Sequence, residues 1–230
     1  MGLSLKNLED VDRFVRLVIY GPPGAGKSTL AATAPEPVWL DFENSLESMR
    51  ETHPHLKTAG SLEEVRDYEA VLDFIRAADK MDAQTIVIDT LSSMNLAFLT
   101  RHMAEKNGKD RHIARFEDFR KITNVMREIF QELITVKKHV ILIAHEKYWR
   151  EQETQNVKEI RPSLPPATEE AIEQLVNECF YLEKKTNNLT KKVSRTLTVS
   201  SEGKIFAKNR QGFEESTIED PTWEKIYKWA

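Results

Sequence analysis

The residues Gly21-Pro22-Pro23-Gly24-Ala25-Gly26-Lys27-Ser28 carry the strongest chemical signal in this sequence. They satisfy G-x-x-x-x-G-K-[ST] at every fixed position. Glycines at these positions let the backbone curl so that successive N–H groups point inward at an anion. An apolar strand before the loop and a helix after it complete the context, and the helix adds its positive end. Lys27 is expected to reach the β- and γ-phosphates of a nucleoside triphosphate, and the Ser28 hydroxyl to ligate Mg²⁺. Gly21, Pro22, Pro23, Gly24, Ala25, Gly26, Lys27, Ser28 and Thr29 are therefore the predicted nucleotide-binding residues. ATP with Mg²⁺ is the predicted pair, because no N-K-x-D guanine-reading motif occurs.

Acids at strand ends supply the remaining chemistry. Ile86-Val87-Ile88-Asp89 reads as a buried strand whose terminal carboxylate can hold Mg²⁺ through water. Thr90 follows Asp89, where many ATPases of this kind place a water-activating glutamate. The base must then come from elsewhere. Glu43, just beyond the strand Val38–Leu40, is the candidate to polarise the attacking water, with Asp41 competing. His145 closes another strand at the same rim and is a candidate γ-phosphate sensor.

These groups need a scaffold, and the apolar pattern provides one. Short buried runs are predicted at Leu17–Tyr20, Val38–Leu40, Thr85–Ile88, Val140–Ala144 and Cys179–Leu182. Helices are predicted from Lys27 to Ala34, where Pro35 and Pro37 stop it. Others follow from a Ser61/Glu64 capping box through Asp79, from Phe116 to Lys137, and near Thr168–Asn177. Residues 146–166 read as a loop, and Thr196–Ser200 with Lys204–Ala207 as a hairpin turning at Ser201-Glu202-Gly203. Strands alternating with helices mean an α/β fold with a mostly parallel sheet flanked by helices, extended by a C-terminal antiparallel hairpin.

Composition narrows the class further. The 230 residues suit one α/β domain, with residues 1–14 as an N-terminal arm and 211–230 as a tail. A net charge of −4 argues against a wholly electrostatic nucleic-acid binder, though not against a local basic groove. The lone Cys179 excludes an internal disulfide and fits a reducing compartment. No apolar run nears the ~20 residues of a membrane span, so no membrane role and a cytoplasmic location are expected.

The motifs in this order, over roughly residues 15–215, resemble the RecA-like P-loop ATPases. Placing the acid at Glu43 and not beside Asp89 sets that group apart from the AAA+ type. The phrases GPPGAGKSTLAATAP, LDFENS, VIDTLSSM and ILIAHEK look like phage-type RecA-core proteins that act as single-strand annealing ATPases. The resemblance implies an ATPase acting on single-stranded DNA in annealing or recombination, stimulated by DNA, in a bacterial or phage-infected cell. It implies a homo-oligomer, ring or filament, with a single-stranded-DNA-binding protein as a further partner. Lys208-Asn209-Arg210 resembles the K-x-R element that reaches a neighbouring subunit's ATP site, which gives Lys208 and Arg210 a catalytic role in trans.

It also implies DNA-facing loops near residues 101–121 and 146–166. The first offers Arg101, Lys106, Lys109 and Arg111 among four acids, and the second Lys147, Tyr148, Trp149, Arg150, Lys158 and Arg161 among four glutamates. Lys184 to Arg195, with Lys191 and Lys192, is the most basic stretch and contains no acid. Basic residues interleaved with aromatics suit single strands through phosphate contacts and base stacking. Two other readings stand beside this one. A helicase loader or regulatory ATPase would act on a protein partner, and a small-molecule kinase would need an arginine-rich lid.

Overall fold

Strand β1 (Arg16–Gly21) is buried along its whole length and sits inside a mostly parallel sheet. The computed structural model describes residues 11–107, 113–164, 166–186 and 191–227, with Asn7 and Glu9. Along the chain follow α1 (Lys27–Ala31), β2 (Pro37–Asp41), β3 (Lys57–Thr58), α2 (Leu62–Val65), α3 (Tyr68–Ala77), β4 (Thr85–Asp89), α4 (Leu91–Asn107) and α5 (Phe116–Thr135). The second half holds β5 (His139–Arg150), β6 (Val157–Pro162), α6 (Pro166–Leu175), β7 (Glu178–Thr186), β8 (Val193–Thr198), β9 (Lys208–Asn209), β10 (Thr217–Glu219) and α7 (Trp223–Ile226). The strand order is β10-β8-β7-β1-β5-β4-β2-β3, with β6 beside β5 and β9 beside β7. Strands β7, β1, β5, β4, β2 and β3 run parallel, whereas β6, β8, β9 and β10 join antiparallel.

Alternation along each strand divides the core into two layers. Val18, Tyr20, Ile86, Ile88 and Leu142 face α3, α4 and α5, meeting Ile75, Phe98, Met126 and Ile129. Leu17, Ile19, Val87, Ile141 and Ile143 face the other way, toward Leu30, Ala31, Trp223 and Ile226 of α1 and α7. Both faces are covered, which is why the inner strands read as unbroken apolar runs. Arg16 is buried and donates to the carbonyls of Ile134, Val136 and Lys138, closing the end of α5.

Several elements differ from the sequence expectation. Helix α1 ends at Ala31 and not at Ala34, because the Thr33 hydroxyl takes the Leu30 carbonyl and closes the turn early. The capping box at Ser61 and Glu64 is present, but the helix it opens stops at Val65. Asp67 then caps α3 by accepting from the Glu69 and Ala70 N–H groups. Residues 146–166 are not a loop: β5 runs on to Arg150 and pairs with β6 as a two-stranded ribbon. The hairpin lies one strand earlier than expected, between β7 and β8, and Lys204–Ala207 contributes isolated bridges only. Residues expected as a tail supply β10 and α7.

One half-buried histidine makes the fold sensitive to acid. His139 Nδ1 accepts the Val15 N–H at 3.0 Å, which needs a neutral ring. Burial, and then the neighbouring Arg16 guanidinium, push its pKa down to about 4. The folded pKa lies below the ordinary 6.5, so this stabilisation is complete above pH 6.5 and is lost as pH falls toward 4. The melting temperature of the nucleotide-free protein is expected to fall between pH 7 and pH 5. His139→Gln, which retains an acceptor, should reduce that fall. An identical decline in both proteins would show that His139 is not the group responsible.

Candidate functional site

Parallel register brings the predicted groups to one rim of the sheet. Gly21 at the end of β1 stands beside His145 of β5, and Asp41 at the end of β2 stands beside Asp89 of β4. The loop leaving β1 turns through left-handed backbone at Gly24 (φ 73) and Gly26 (φ 99), conformations that favour glycine. At Gly21 a Cβ would overlap the Leu182 carbonyl of β7, so β1 and β7 approach as closely as they do because no side chain intervenes.

Lys27 is 7% exposed, and its ammonium donates to the carbonyls of Gly21 (2.9 Å) and Pro22 (3.0 Å). Burial lowers its pKa, while Asp89, Glu43 and Glu146 act in the opposite sense. Ser28 donates to Asp89 Oδ2 at 2.7 Å, and Ser45 donates to the same oxygen at 3.2 Å. Asp89 is 2% exposed, and burial pushes its pKa up to about 6 despite those two bonds. A buried carboxylate whose ionised form is disfavoured by burial and by neighbouring acids is suited to a cation.

Glu43 is held by three donors on one oxygen. Thr90 Oγ1 (2.8 Å), Ser93 Oγ (2.6 Å) and His145 Nε2 (3.4 Å) all converge on Glu43 Oε1. Burial pushes its pKa up, but the Ser93 and Thr90 hydroxyls and His145 outweigh it and hold the carboxyl below its ordinary value. Among the described residues Oε2 receives no hydrogen bond and is available to a water molecule. Asp41, the competing acid, is committed elsewhere: its oxygens accept from the backbone of Glu43, Ser45 and Leu46 and shape the loop after β2. Thr90, Ser93 and Ser45 were not singled out from sequence, although they lie within the phrases VIDTLSSM and LDFENS.

The donor set fits Mg²⁺ with a nucleotide. Ser28 and Asp89 offer hard oxygens, and among the described residues no group of three or more His, Cys, Asp or Glu side chains forms an all-protein cage. Magnesium is typically held this way, by one or two protein oxygens together with substrate phosphates and water.

Other predicted residues are not brought to this rim. Lys208 and Arg210 lie by the opposite end of β7, where Lys208 pairs with Cys179 and Asn209 with Glu178. Lys208 Nζ donates to the Val176 carbonyl at 2.8 Å, and Arg210 is exposed. Neither can touch its own chain's phosphate loop. A cleft of about 1060 Å³ lined by Arg210, Glu178 and Phe213 is at that end too, away from Lys27, Glu43 and Asp89.

The predicted DNA contacts scatter. Residues 101–121 are helical on both flanks, ending α4 and opening α5, so the expected loop shortens to the connection between them. Arg101 is tied to Glu105 (2.7 Å) and Asp67 (2.8 Å). Lys109 and Arg111 lie outside the described residues, as does the side chain of Lys106. Lys191 and Lys192 are exposed just ahead of β8. Lys147 lies over the Trp149 ring on the β5–β6 ribbon, as does Arg161.

The sheet, with its phosphate loop leaving an inner strand, defines the class: an α/β P-loop NTPase of RecA-like fold. Within that class the chain belongs to the AAA domain family, which matches residues 13–211. That family description does not carry the expected separation from AAA-type ATPases. Among solved structures the chain is similar to the RadB recombinase at 14% identity, over 89% of this chain and 86% of that one, with a TM-score of 0.53. It is also similar to the KaiC-like protein PH0186 from Pyrococcus horikoshii OT3 at 16% identity, over 88% and 82%, with a TM-score of 0.49. At such identity the RadB likeness establishes the fold. No curated protein sequence matches the chain. Among the described residues no helix is long and apolar enough to cross a membrane.

Proposed function

We propose that this protein is a RecA-like ATPase, one domain over residues 1–230, that hydrolyses Mg-ATP and acts on single-stranded DNA in annealing or recombination. The observation that carries the hydrolytic part is the Glu43 carboxylate, oriented by Thr90, Ser93 and His145 on the same rim as Lys27, Ser28 and Asp89. Glu43 Oε2 orients the water that attacks the γ-phosphorus. The bond to the bridging oxygen of ADP breaks, and ADP and phosphate leave. Its lowered pKa suits orienting the water more than removing its proton before attack. Lys27 swings from the loop carbonyls to the β- and γ-phosphates. Magnesium, held by Ser28 and Asp89, would supply neutralisation of the phosphate charge. His145 links Glu43 to β5 and so to the ribbon that the same strand forms.

The ribbon supports the DNA part. Tyr148 and Trp149 are 46% and 45% exposed, and Lys147, Arg150 and Arg161 lie against their rings. Exposed aromatics with cations are the usual platform for stacking bases along a single strand. The name of the structurally similar RadB, a recombinase, is compatible with this reading. Lys208 and Arg210 stand at the end of β7 away from their own phosphate loop, and in this reading they serve a neighbouring subunit's site in a homo-oligomer. A cytoplasmic setting in a bacterial or phage-infected cell, and a single-stranded-DNA-binding protein as partner, belong to the same proposal.

The test is ATP hydrolysis measured with and without single-stranded DNA, across protein concentration and at two salt levels. Stimulation by DNA that rises steeply with concentration and fades with salt is expected. Trp149→Ala should weaken DNA binding about tenfold, within the range for loss of one stacking ring. Turnover indifferent to DNA and to concentration would sink the DNA and oligomer assignments and leave an ATPase directed at another partner.

A further inference from the structure

Arg195 of β8 belongs to the basic stretch first read as DNA-facing, yet its side chain lies against the phosphate loop. A Cβ placed on Gly26 would meet Arg195 Nε at 2.5 Å, Cδ at 3.1 Å and Cζ at 3.5 Å. The guanidinium arm therefore crosses the loop where a side chain at position 26 would stand. Arg195 is half-buried, and its Nε is buried without a hydrogen-bond partner. Arg76, Arg101 and Arg161 all sit in ion pairs. The Arg195 guanidinium makes none among the described residues. The nearby Asp220 bonds to the backbone of Arg195 and not to its guanidinium: its carboxylate accepts the Arg195 N–H at 2.9 Å, and its N–H donates to the Arg195 carbonyl. The backbone is thus pinned on both sides while the buried Nε of the guanidinium is held at the loop without a hydrogen-bond partner, which is costly unless a ligand acceptor meets it.

Sheet order says which part of a nucleotide it would meet. Glu43, Asp89 and His145 come from β2, β4 and β5, all on one side of β1. Strands β7 and β8 are on the other side. A triphosphate lying along the loop with its γ-phosphate at Lys27 and Glu43 directs its nucleoside end toward β7 and β8. In β7–β8 register Arg195 opposes Lys184, and Leu197 opposes Leu182. Alternate residues share a face, so Arg195 is on the face of Leu182 and Leu197, which is the face covered by α1.

We propose that Arg195 is a nucleotide-binding residue whose guanidinium, on the β8 side of the phosphate loop, holds the α-phosphate of the nucleotide bound by its own chain. A planar fork of donors matches phosphate oxygens in a bidentate manner. The proposal rests on the reading of residues 21–28 as the nucleotide site. Because the contact is equally present before and during reaction, it contributes affinity and not turnover.

The probe is Mg-ADP, which has an α-phosphate and no γ-phosphate, titrated calorimetrically into wild type, Arg195→Gln and Arg195→Lys. Arg195→Gln is expected to weaken Mg-ADP about tenfold, and Arg195→Lys by less, because it restores the charge without the fork. At saturating ATP the kcat of both variants should stay within about threefold of wild type, with the loss appearing in KM. Mg-ADP affinity in Arg195→Gln within about twofold of wild type would overturn the proposal, and so would a fall in kcat at unchanged affinity. Should Arg195→Gln fail to fold, Arg195→Lys carries the same affinity test. Wild type that does not bind Mg-ADP would overturn the nucleotide site itself. Wild type that binds while both variants match it would overturn the Arg195 assignment alone.

Discussion

Glu43→Gln is expected to bind Mg-ATP as tightly as wild type and to hydrolyse it about 10²–10⁴-fold more slowly, the usual contribution of a positioned general base or water-orienting carboxylate. The substitution keeps the shape of the side chain. Its amide oxygen can still accept from Thr90 and Ser93, which approach Oε1 at 2.8 Å and 2.6 Å. What it removes is the negative charge and the second acceptor oxygen, since an NH₂ group replaces Oε2 and cannot accept a proton from water. Asp41 is no substitute, because its two oxygens are engaged by the backbone of the loop after β2. Mg-ATP affinity and single-turnover hydrolysis, measured on the same preparation, separate binding from chemistry. Full turnover in Glu43→Gln would show that the attacking water is oriented by a different group. Loss of nucleotide binding in parallel with turnover would instead assign Glu43 to the architecture of the loop.

Lys27→Ala is expected to lower kcat/KM by about 10³-fold or more, because one cation serves both the ground state and the charge developing on the γ-phosphate. The same change should not lower the melting temperature of the nucleotide-free protein greatly. Lys27 is a desolvated cation with its pKa pushed down by burial, so its removal relieves a cost while giving up bonds to the Gly21 and Pro22 carbonyls. Stability unchanged and activity lost is the signature of a functional lysine; both lost together would mean that the loop cannot form without it. Lys27→Ala also supplies a partner for testing catalysis between subunits. Mixed with Arg210→Ala, it should recover part of the hydrolysis, because hybrid interfaces pair an intact phosphate loop with an intact Arg210. No recovery at any mixing ratio would count against a role for Arg210 in trans.

Legibility in the sequence varied with the distance along the chain over which each feature is built. Gly21–Ser28 is contiguous, and its curl depends on positive φ at Gly24 and Gly26, a property of those residues themselves. Asp89 was legible because an apolar run ending in an acid is also a local pattern. Glu43 could be nominated by elimination, but its orientation could not. The donors on its carboxylate are 47, 50 and 102 residues away in the chain, at Thr90, Ser93 and His145. Helix α4 went unread since its apolar residues, Leu91, Met94 and Phe98 among them, are interrupted by exposed ones such as Leu96.

By itself, then, the sequence determined the phosphate loop, the buried strands and their acidic ends, and hence an α/β nucleotide-binding core. Only the tertiary structure decided that β7 and β8 flank the loop on the side opposite the acids. It likewise decided that Arg195 crosses Gly26, that Lys208 and Arg210 stand at the far end of β7, and that residues 146–162 form a ribbon. The reason is physical. A run such as Val-Ile-Tyr or Ile-Val-Ile states that a strand is buried on both faces, but every inner strand of such a sheet says the same. Which strand neighbours which is chosen by the helices and connections that pack over them, and cross-strand partners exist only once that choice is made.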